Sequence, residues 1–274
     1  TLKSAFIFVD GRYEIQVKKE ITQSVIQVIQ TRDISVKHWF KTYCDHQKIG
    51  FDPWLHTVSE LADLIKNSKN AVQIQECPNL IDLIWTQKPK PSNLPVQAHP
   101  IKYSGLNSRK KRRLISQSLS ENLADAVILT KPDSICWLLN IRGKDIAHTP
   151  IIQSLAIIKK NSKVKLFLRN KNISRNVYSL LGKDVEILDY DSFLKHLSSL
   201  KYKNIQIDPS SCPKAISNSL QLLKKKIIEC TDPCINPKSI KNMTEIRGAR
   251  EAHIVDATAF IQFLHWFEKN IDHT

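Results

Sequence analysis

The sequence predicts an α/β protein of two domains, each a mixed β-sheet flanked by helices, followed by a lone long helix. Three observations predict it. Short β-branched and leucine-rich runs alternate with segments of helical period, the pattern that layers helices on a sheet. The 274 residues exceed what one hydrophobic core usually organises. Four prolines between Lys88 and Pro100 favour an extended connector over helix or strand. The expected domains are 1–97, 98–235 and 236–274.

Ala5 to Val9 is an apolar strand that Asp10-Gly11 turns. Tyr13 to Glu20 begins a mixed helical or extended stretch, and Val25, Val28 and Ile29 mark another buried segment. Val36 to Cys44 is a helix with Trp39, Phe40 and Tyr43 on one side. Lys48 to Pro53 is a short strand ended by its proline, which cannot continue a ladder. Val58, Leu61, Leu64 and Ile65 give Thr57 to Lys66 a helical period; Val72 to Ile74 is a strand candidate, and Leu80 to Trp85 a short apolar segment.

Beyond the prolines, Ser108 to Asn122 is a helix and Ala126 to Leu129 a strand, and Lys131-Pro132-Asp133 turns into Ser134 to Asn140. Ile151 to Ile158, Val164 to Leu168, Val185 to Leu188 and Asn204 to Ile207 read as strands. Ile173 to Leu181, Ser192 to Leu200 and Pro213 to Lys224 read as the helices between and after them. A second boundary falls near Asp232 to Pro237. From Ser239 to Asn270 runs one long helical pattern, with Ile246, Ile254, Ala257, Phe260, Ile261 and Leu264 as its apolar stripe. That broad stripe calls for a partner, either a missing segment or another chain.

Composition narrows the function classes. With 42% hydrophobic and 24% charged residues the chain is globular. No apolar run approaches the roughly 20 residues that span a bilayer, and the N-terminus lacks a signal-peptide layout, so a soluble protein with no membrane partner is expected. Six scattered cysteines suit reduced thiols in a cytoplasm better than a disulfide scaffold. The net charge of +15 raises the question of polyanions. Lysine, however, is spread along the whole sequence. The densest run, Arg109 to Arg113, precedes Leu114, Ile115, Leu119 and Leu123 and reads as the solvated start of an amphipathic helix. No nucleic-acid partner is therefore expected, and polyanion binding through the lysine-rich surface is a minority reading. No phosphate loop, nucleophile elbow or Cys-His dyad stands out.

Several segments together resemble one family. Phe8-Val9-Asp10-Gly11-Arg12-Tyr13, Lys48-Ile49-Gly50-Phe51-Asp52-Pro53 and Leu80 to Trp85 resemble the first domain of aminopeptidase P, of the creatinase/prolidase superfamily. Ile135 to Ile146, with its Trp137, Asn140-Ile141-Arg142-Gly143 and Asp145, followed by His148-Thr149-Pro150, is similar to the second domain. Asn236 to Asn242, Glu245-Ile246-Arg247 and Ala252 to Asp256 resemble the first helix of its catalytic domain.

The resemblance implies a hydrolase that removes the N-terminal residue from peptides with proline in second position. It implies two divalent metals, commonly manganese, held by two Asp, one His and two Glu in a pita-bread catalytic domain, where a metal pair activates a bridging water and polarises the scissile carbonyl. Those ligand motifs are absent from these residues, so no catalytic and no metal residue is expected in this chain. The sequence is expected to be a fragment, clipped at the front and cut where the pita-bread domain begins. Its two creatinase-like domains are expected to shape the substrate cleft and a homodimer. The alternative is a catalytically inactive peptide- or protein-binding module of the same architecture.

Arg12 is the candidate substrate-binding residue, since the family's arginine in this turn looks toward the cleft and a guanidinium pairs with a carboxylate or orients a carbonyl. It reads equally well as a turn arginine salt-bridged to Asp10. Arg142 and Asp145 suit a loop-fixing ion pair, and His148 a structural role. His253 and Asp256 share a helix face but cannot complete a metal site. Trp137 and Trp266 read as packing residues.

Overall fold

The computed structural model describes residues 4–21, 25–44, 46–66, 72–170 and 172–271. The chain divides into two compact units, Thr1–Lys88 and Pro89–Thr274.

The first unit holds two strand–helix–strand pairs. β1 (Ala5–Val9) leads through α1 (Glu14–Glu20) to β2 (Ile26–Gln30), which lies parallel to it with Ala5 opposite Ile26. Parallel neighbours require such a crossover. After α2 (Val36–Tyr43), β3 (Lys48–Phe51) and β4 (Gln73–Glu76) repeat the arrangement around α3 (Val58–Lys66). The starts of α2 and α3 have local reasons: the Ser35 hydroxyl accepts from His38 N, and Thr57 and Glu60 cap each other reciprocally. Trp39 gathers Phe6, Phe8 and Tyr43 at ring distances of 5.0, 5.5 and 5.4 Å. Beside them Val9, Val17, Phe40 and Leu61 are buried. Val25, grouped by sequence with a buried segment, is exposed just ahead of β2. The short α4 (Leu80–Ile84) leaves most of its apolar side chains in solvent.

The second unit opens with β5 (Gln97–Ala98), α5 (Ile101–Ser104) and α6 (Ser108–Glu121). Then follow β6 (Ala126–Leu129), α7 (Pro132–Leu139), β7 (Ile141–Arg142), β8 (Ser154–Lys159), β9 (Val164–Leu168) and α8 (Arg175–Leu181). The order continues through β10 (Val185–Asp189), α9 (Phe193–Ser198), β11 (Asn204–Ile207), α10 (Lys214–Leu222) and β12 (Lys226–Glu229). It ends with α11 (Ile235–Ser239) and α12 (Met243–Asn270). Six strands form one mixed sheet in the order β10-β9-β8-β6-β11-β12. β8 is antiparallel to both its neighbours, and every other pairing in the sheet is parallel. Its central strands are buried on both faces: Val127, Leu129, Ala156, Ile158, Leu166 and Leu168 join α6 and α7 in one core, while Phe167, Phe193, Ile205 and Ile216 are buried with α9 and α10.

Several differences from the sequence reading stand out. The division between units falls at the start of the proline-rich connector because its later part belongs to the second unit: Val96 is fully buried and donates its N–H to Asn172 O at 2.9 Å. The strand expected from Ile151 begins only at Ser154, because the Gln153 N–H is taken by the Asp145 carboxylate at 2.8 Å instead of by a ladder. β12 had no strand reading; its Ile227-Ile228 pair, between Lys226 and Glu229, is too short for a clear period. The long helical pattern is interrupted at Ile240 to Asn242, and α12 restarts at Met243.

Candidate functional site

In the first unit, the Asp10 carboxylate accepts from Arg12 N at 2.9 Å, capping a single turn over Gly11–Tyr13. The same carboxylate takes the guanidinium in a two-point grip, Nε at 3.2 Å and Nη2 at 2.7 Å. Hydrogen bonds from Arg12 hold the Asp10 carboxyl below its ordinary range. Arg12 remains 81% exposed. A Cβ on Gly11 would meet nothing, so the turn is set by Asp10, not by a steric need for glycine. The salt-bridged reading of Arg12 is the arrangement present, and the guanidinium still faces solvent.

The second unit contains a buried polar network that composition alone does not suggest. α7 ends at Asn140 in the left-handed conformation, φ 53° and ψ 47°, which Asn tolerates better than most residues. This turn buries the Asn140 amide. Its Oδ1 accepts from Lys111 Nζ at 2.7 Å, and its Nδ2 donates to Leu106 O at 2.8 Å and Ser104 Oγ at 3.2 Å. Lys111 comes from the middle of the basic run, yet it is only 2% exposed. Its ammonium also donates to Trp137 O at 3.0 Å and lies 4.5 Å from the Trp137 ring. Burial lowers its pKa to about 8, against a smaller opposing pull from Glu245. The neighbouring Arg112 is buried as well, donating to Ser162 O at 2.8 Å and pairing with Asp184 at 3.6 Å.

The run Arg109 to Arg113 is thus a correction to the sequence reading. Arg109, Lys110 and Arg113 are solvated, while Lys111 and Arg112 face the interior and Leu114 faces water. The helix phase put two cations inward, where carbonyls of other segments receive them.

The network continues to the root of α12. Ser104 O accepts from Asn242 Nδ2 at 2.9 Å, and Asn242 Oδ1 caps α12 by accepting from Thr244 N and Glu245 N at 3.0 and 3.1 Å. Glu245 closes the capping box on Asn242 N at 3.0 Å. Between these groups sits Gly105, φ +64°, where a Cβ would come 2.2 Å from Asn242 Oδ1. Only glycine fits that seat. Asn242-x-x-Glu245 was a readable capping signal; Lys111, Ser104 and Gly105 carried none, because their partners are distant in sequence.

The remaining candidates fall apart spatially. Arg142 donates to Cys136 O and Ile141 O at 3.1 and 2.8 Å, while Asp145 holds Gln153, so the two fix separate backbone segments rather than pairing with each other. Gly143 is required, since a Cβ would meet Ile152 at 2.5 Å. His148 sits in an exposed turn at φ 59°. His253 and Asp256 are exposed on α12, and among the described residues no three His, Cys, Asp or Glu side chains converge as metal ligands. Trp137 packs in the core; Trp266 is 58% exposed on α12 beside Phe263. No helix among the described residues is long and apolar enough to cross a membrane, and all six cysteines are free thiols.

Comparison with known proteins explains why this architecture recurs. The Creatinase/Prolidase N-terminal domain family matches residues 87–245, more than half of the chain. The chain belongs to that family. This creatinase/prolidase-type protein is 28% identical over 294 residues to a probable Xaa-Pro aminopeptidase P of Coprinopsis cinerea, covering 99% of this chain and 47% of that protein. It is 29% identical over 287 residues to Xaa-Pro aminopeptidase 1 of Dictyostelium discoideum, covering 99% of this chain and 45% of the relative. Among solved structures, X-prolyl aminopeptidase from Caenorhabditis elegans, described as a cytosolic enzyme with a di-nuclear active site, superposes with a TM-score of 0.86 at 27% identity. That match covers 98% of this chain and 46% of the enzyme. The chain spans about half the length of the relatives it matches.

Proposed function

We propose that residues 1–274 form the non-catalytic front portion of a metal-dependent Xaa-Pro aminopeptidase, which removes the N-terminal residue from peptides with proline in second position. The observation that carries this reading is the superposition on X-prolyl aminopeptidase over 98% of this chain but 46% of that enzyme. In this reading the two creatinase-like domains wall the substrate cleft and build a homodimer, and 236–274 begins the catalytic domain. The metal pair, with manganese expected, belongs to the half of the enzyme outside the match; when bound it supplies an activated water and a polarised carbonyl. The network from Lys111 to Glu245 fixes how α12 leaves the second unit, which supports a role in presenting that helix to the catalytic half. Arg12 contributes an exposed guanidinium that can exchange Asp10 for a peptide carboxylate. A cytoplasmic enzyme is proposed, in keeping with the cytosolic nematode relative.

The test compares the complete gene product with pure residues 1–274 on an Xaa-Pro peptide with added manganese. Turnover is expected from the former alone. Arg12→Ala in the complete product should raise KM about tenfold with kcat little changed. Metal-dependent cleavage by pure residues 1–274 would overturn the proposal. A complete product that binds peptides without cleaving them would favour the inactive binding module.

A further inference from the structure

The even spread of lysine along the sequence argues against a polyanion partner, but the fold undoes that spread. The register of the six-stranded sheet places the starts of β6, β9, β10, β11 and β12 and the finish of β8 at one end. The segments arriving there bring exposed lysines in strand order. Lys183 precedes β10, and Lys163 and Lys160 lie in the β8–β9 turn. Lys201 and Lys203 precede β11, and Lys224 and Lys226 flank the start of β12. None of these ammonium groups is in an ion pair among the described residues.

The nearby carboxylates are mostly held by partners other than these ammonium groups. Asp125 accepts from the backbone N–H groups of Lys203 and Asn204, Asp184 pairs with Arg112, and Glu186 with Lys165; Glu121 is the further acid, at the end of α6. At the opposite end of the sheet the strands finish on acids: Asp189 closes β10, Glu229 closes β12, and Asp208 follows β11. Arg169 after β9 and Lys131 after β6 lie among those acids, so the excess of basic charge, though not all of it, sits at the strand-start end.

The geometry of the basic end selects the kind of polyanion. Strands about 4.8 Å apart spread these lysines over a row about 24 Å long. Sheet twist of about 20° per strand turns that row by about 100° from end to end. A flat lipid surface cannot follow such a row, whereas a flexible chain of phosphates can. Lysine supplies point charges and not the planar fork that reads base edges. Tyr202, in the segment leading into β11, is half-buried with the Lys159 ammonium 5.9 Å from its centroid, which leaves little of the ring for base stacking. We infer that the strand-start end of the six-stranded sheet binds single-stranded nucleic acid through its phosphates, without base recognition.

Fluorescence anisotropy with a labelled 20-residue oligouridylate, titrated at several salt concentrations, tests this. Tight low-salt binding is expected to weaken as salt rises, with a log–log slope of about −3 to −5. Replacing Lys201, Lys203, Lys224 and Lys226 with Glu should weaken low-salt binding at least about tenfold and flatten the slope. The same charge change at Lys19, Lys41, Lys48 and Lys90 should cost no more than about threefold. Circular dichroism checks that both variants fold, and Lys→Gln at the same four edge positions answers the question if the glutamates unfold the chain. Equal losses in both sets, no binding at low salt, or capture by phosphatidylserine vesicles without oligonucleotide binding would each overturn the inference.

Discussion

Lys111 shows how much one side chain's surroundings can change its chemistry. Lys110 before it and Arg113 two residues after it stay in water, whereas Lys111 sits under Trp137 with two oxygen acceptors. Burial brings its pKa to about 8, below the ordinary 10.5. Between those values the unfolded chain holds a proton that the folded chain has released, so stability at this site rises with pH from about 8 toward 10.5, and below 8 the full penalty persists. Cys136 works in the opposite sense: burial pushes it from 9.0 to about 11, and stability there falls as pH climbs through that window. Comparison with Lys111→Met isolates the lysine. The unfolding free energy of the wild type minus that of the variant should increase by about 2 kcal/mol between about pH 7.5 and about pH 9.5. Urea unfolding at a series of pH values reads this directly; a flat difference would mean that the ammonium is not desolvated.

At the scale of elements, the second unit depends on how three helices end or begin within one small volume. α7 stops at left-handed Asn140, α5 stops at left-handed Gly105, and α12 starts at Asn242. Each stop frees backbone groups that the next element satisfies, so the root of α12 is held by hydrogen bonds with little apolar packing. Beyond its first turns α12 is exposed along its length. Gly105→Ala should therefore act locally: the added Cβ displaces Asn242, and left-handed alanine is strained. We expect a loss of about 1–3 kcal/mol and faster amide exchange in residues 243–248, with exchange in β6 and β8 little changed. Uniform acceleration across the sheet would show that the seat is part of the core rather than a local root.

For the whole molecule, the outstanding surface is the apolar face of α12. Phe260, Phe263 and Phe267 are 60%, 50% and 42% exposed, with Ile261, Leu264 and Trp266 beside them. A soluble chain rarely leaves so much contiguous apolar surface without a partner. Replacing the three phenylalanines with Glu should reduce binding of a hydrophobic dye several-fold, while the thermal unfolding of the six-stranded unit shifts by less than about 2 °C. Dye binding that persists would place the accessible apolar surface elsewhere, with exposed α4 the next place to examine.

What the sequence by itself determined is the α/β class, most of the elements and the ordered series of motifs that marks the family. Those properties are local: a helical period, a β-branched run or Asn140-Ile141-Arg142-Gly143 is complete within a few neighbours. Only the tertiary structure decided that Lys111 and Arg112 are interior cations, that Asn140 joins α7 to the seat of α12, and that lysines spread over the second unit meet at one sheet end. Lys111 finds its acceptors 26 and 29 residues away, and Ser104 meets Asn242 across 138. A charge is stable in an interior only where separate segments bring oxygen to it, and no window of sequence contains those segments together.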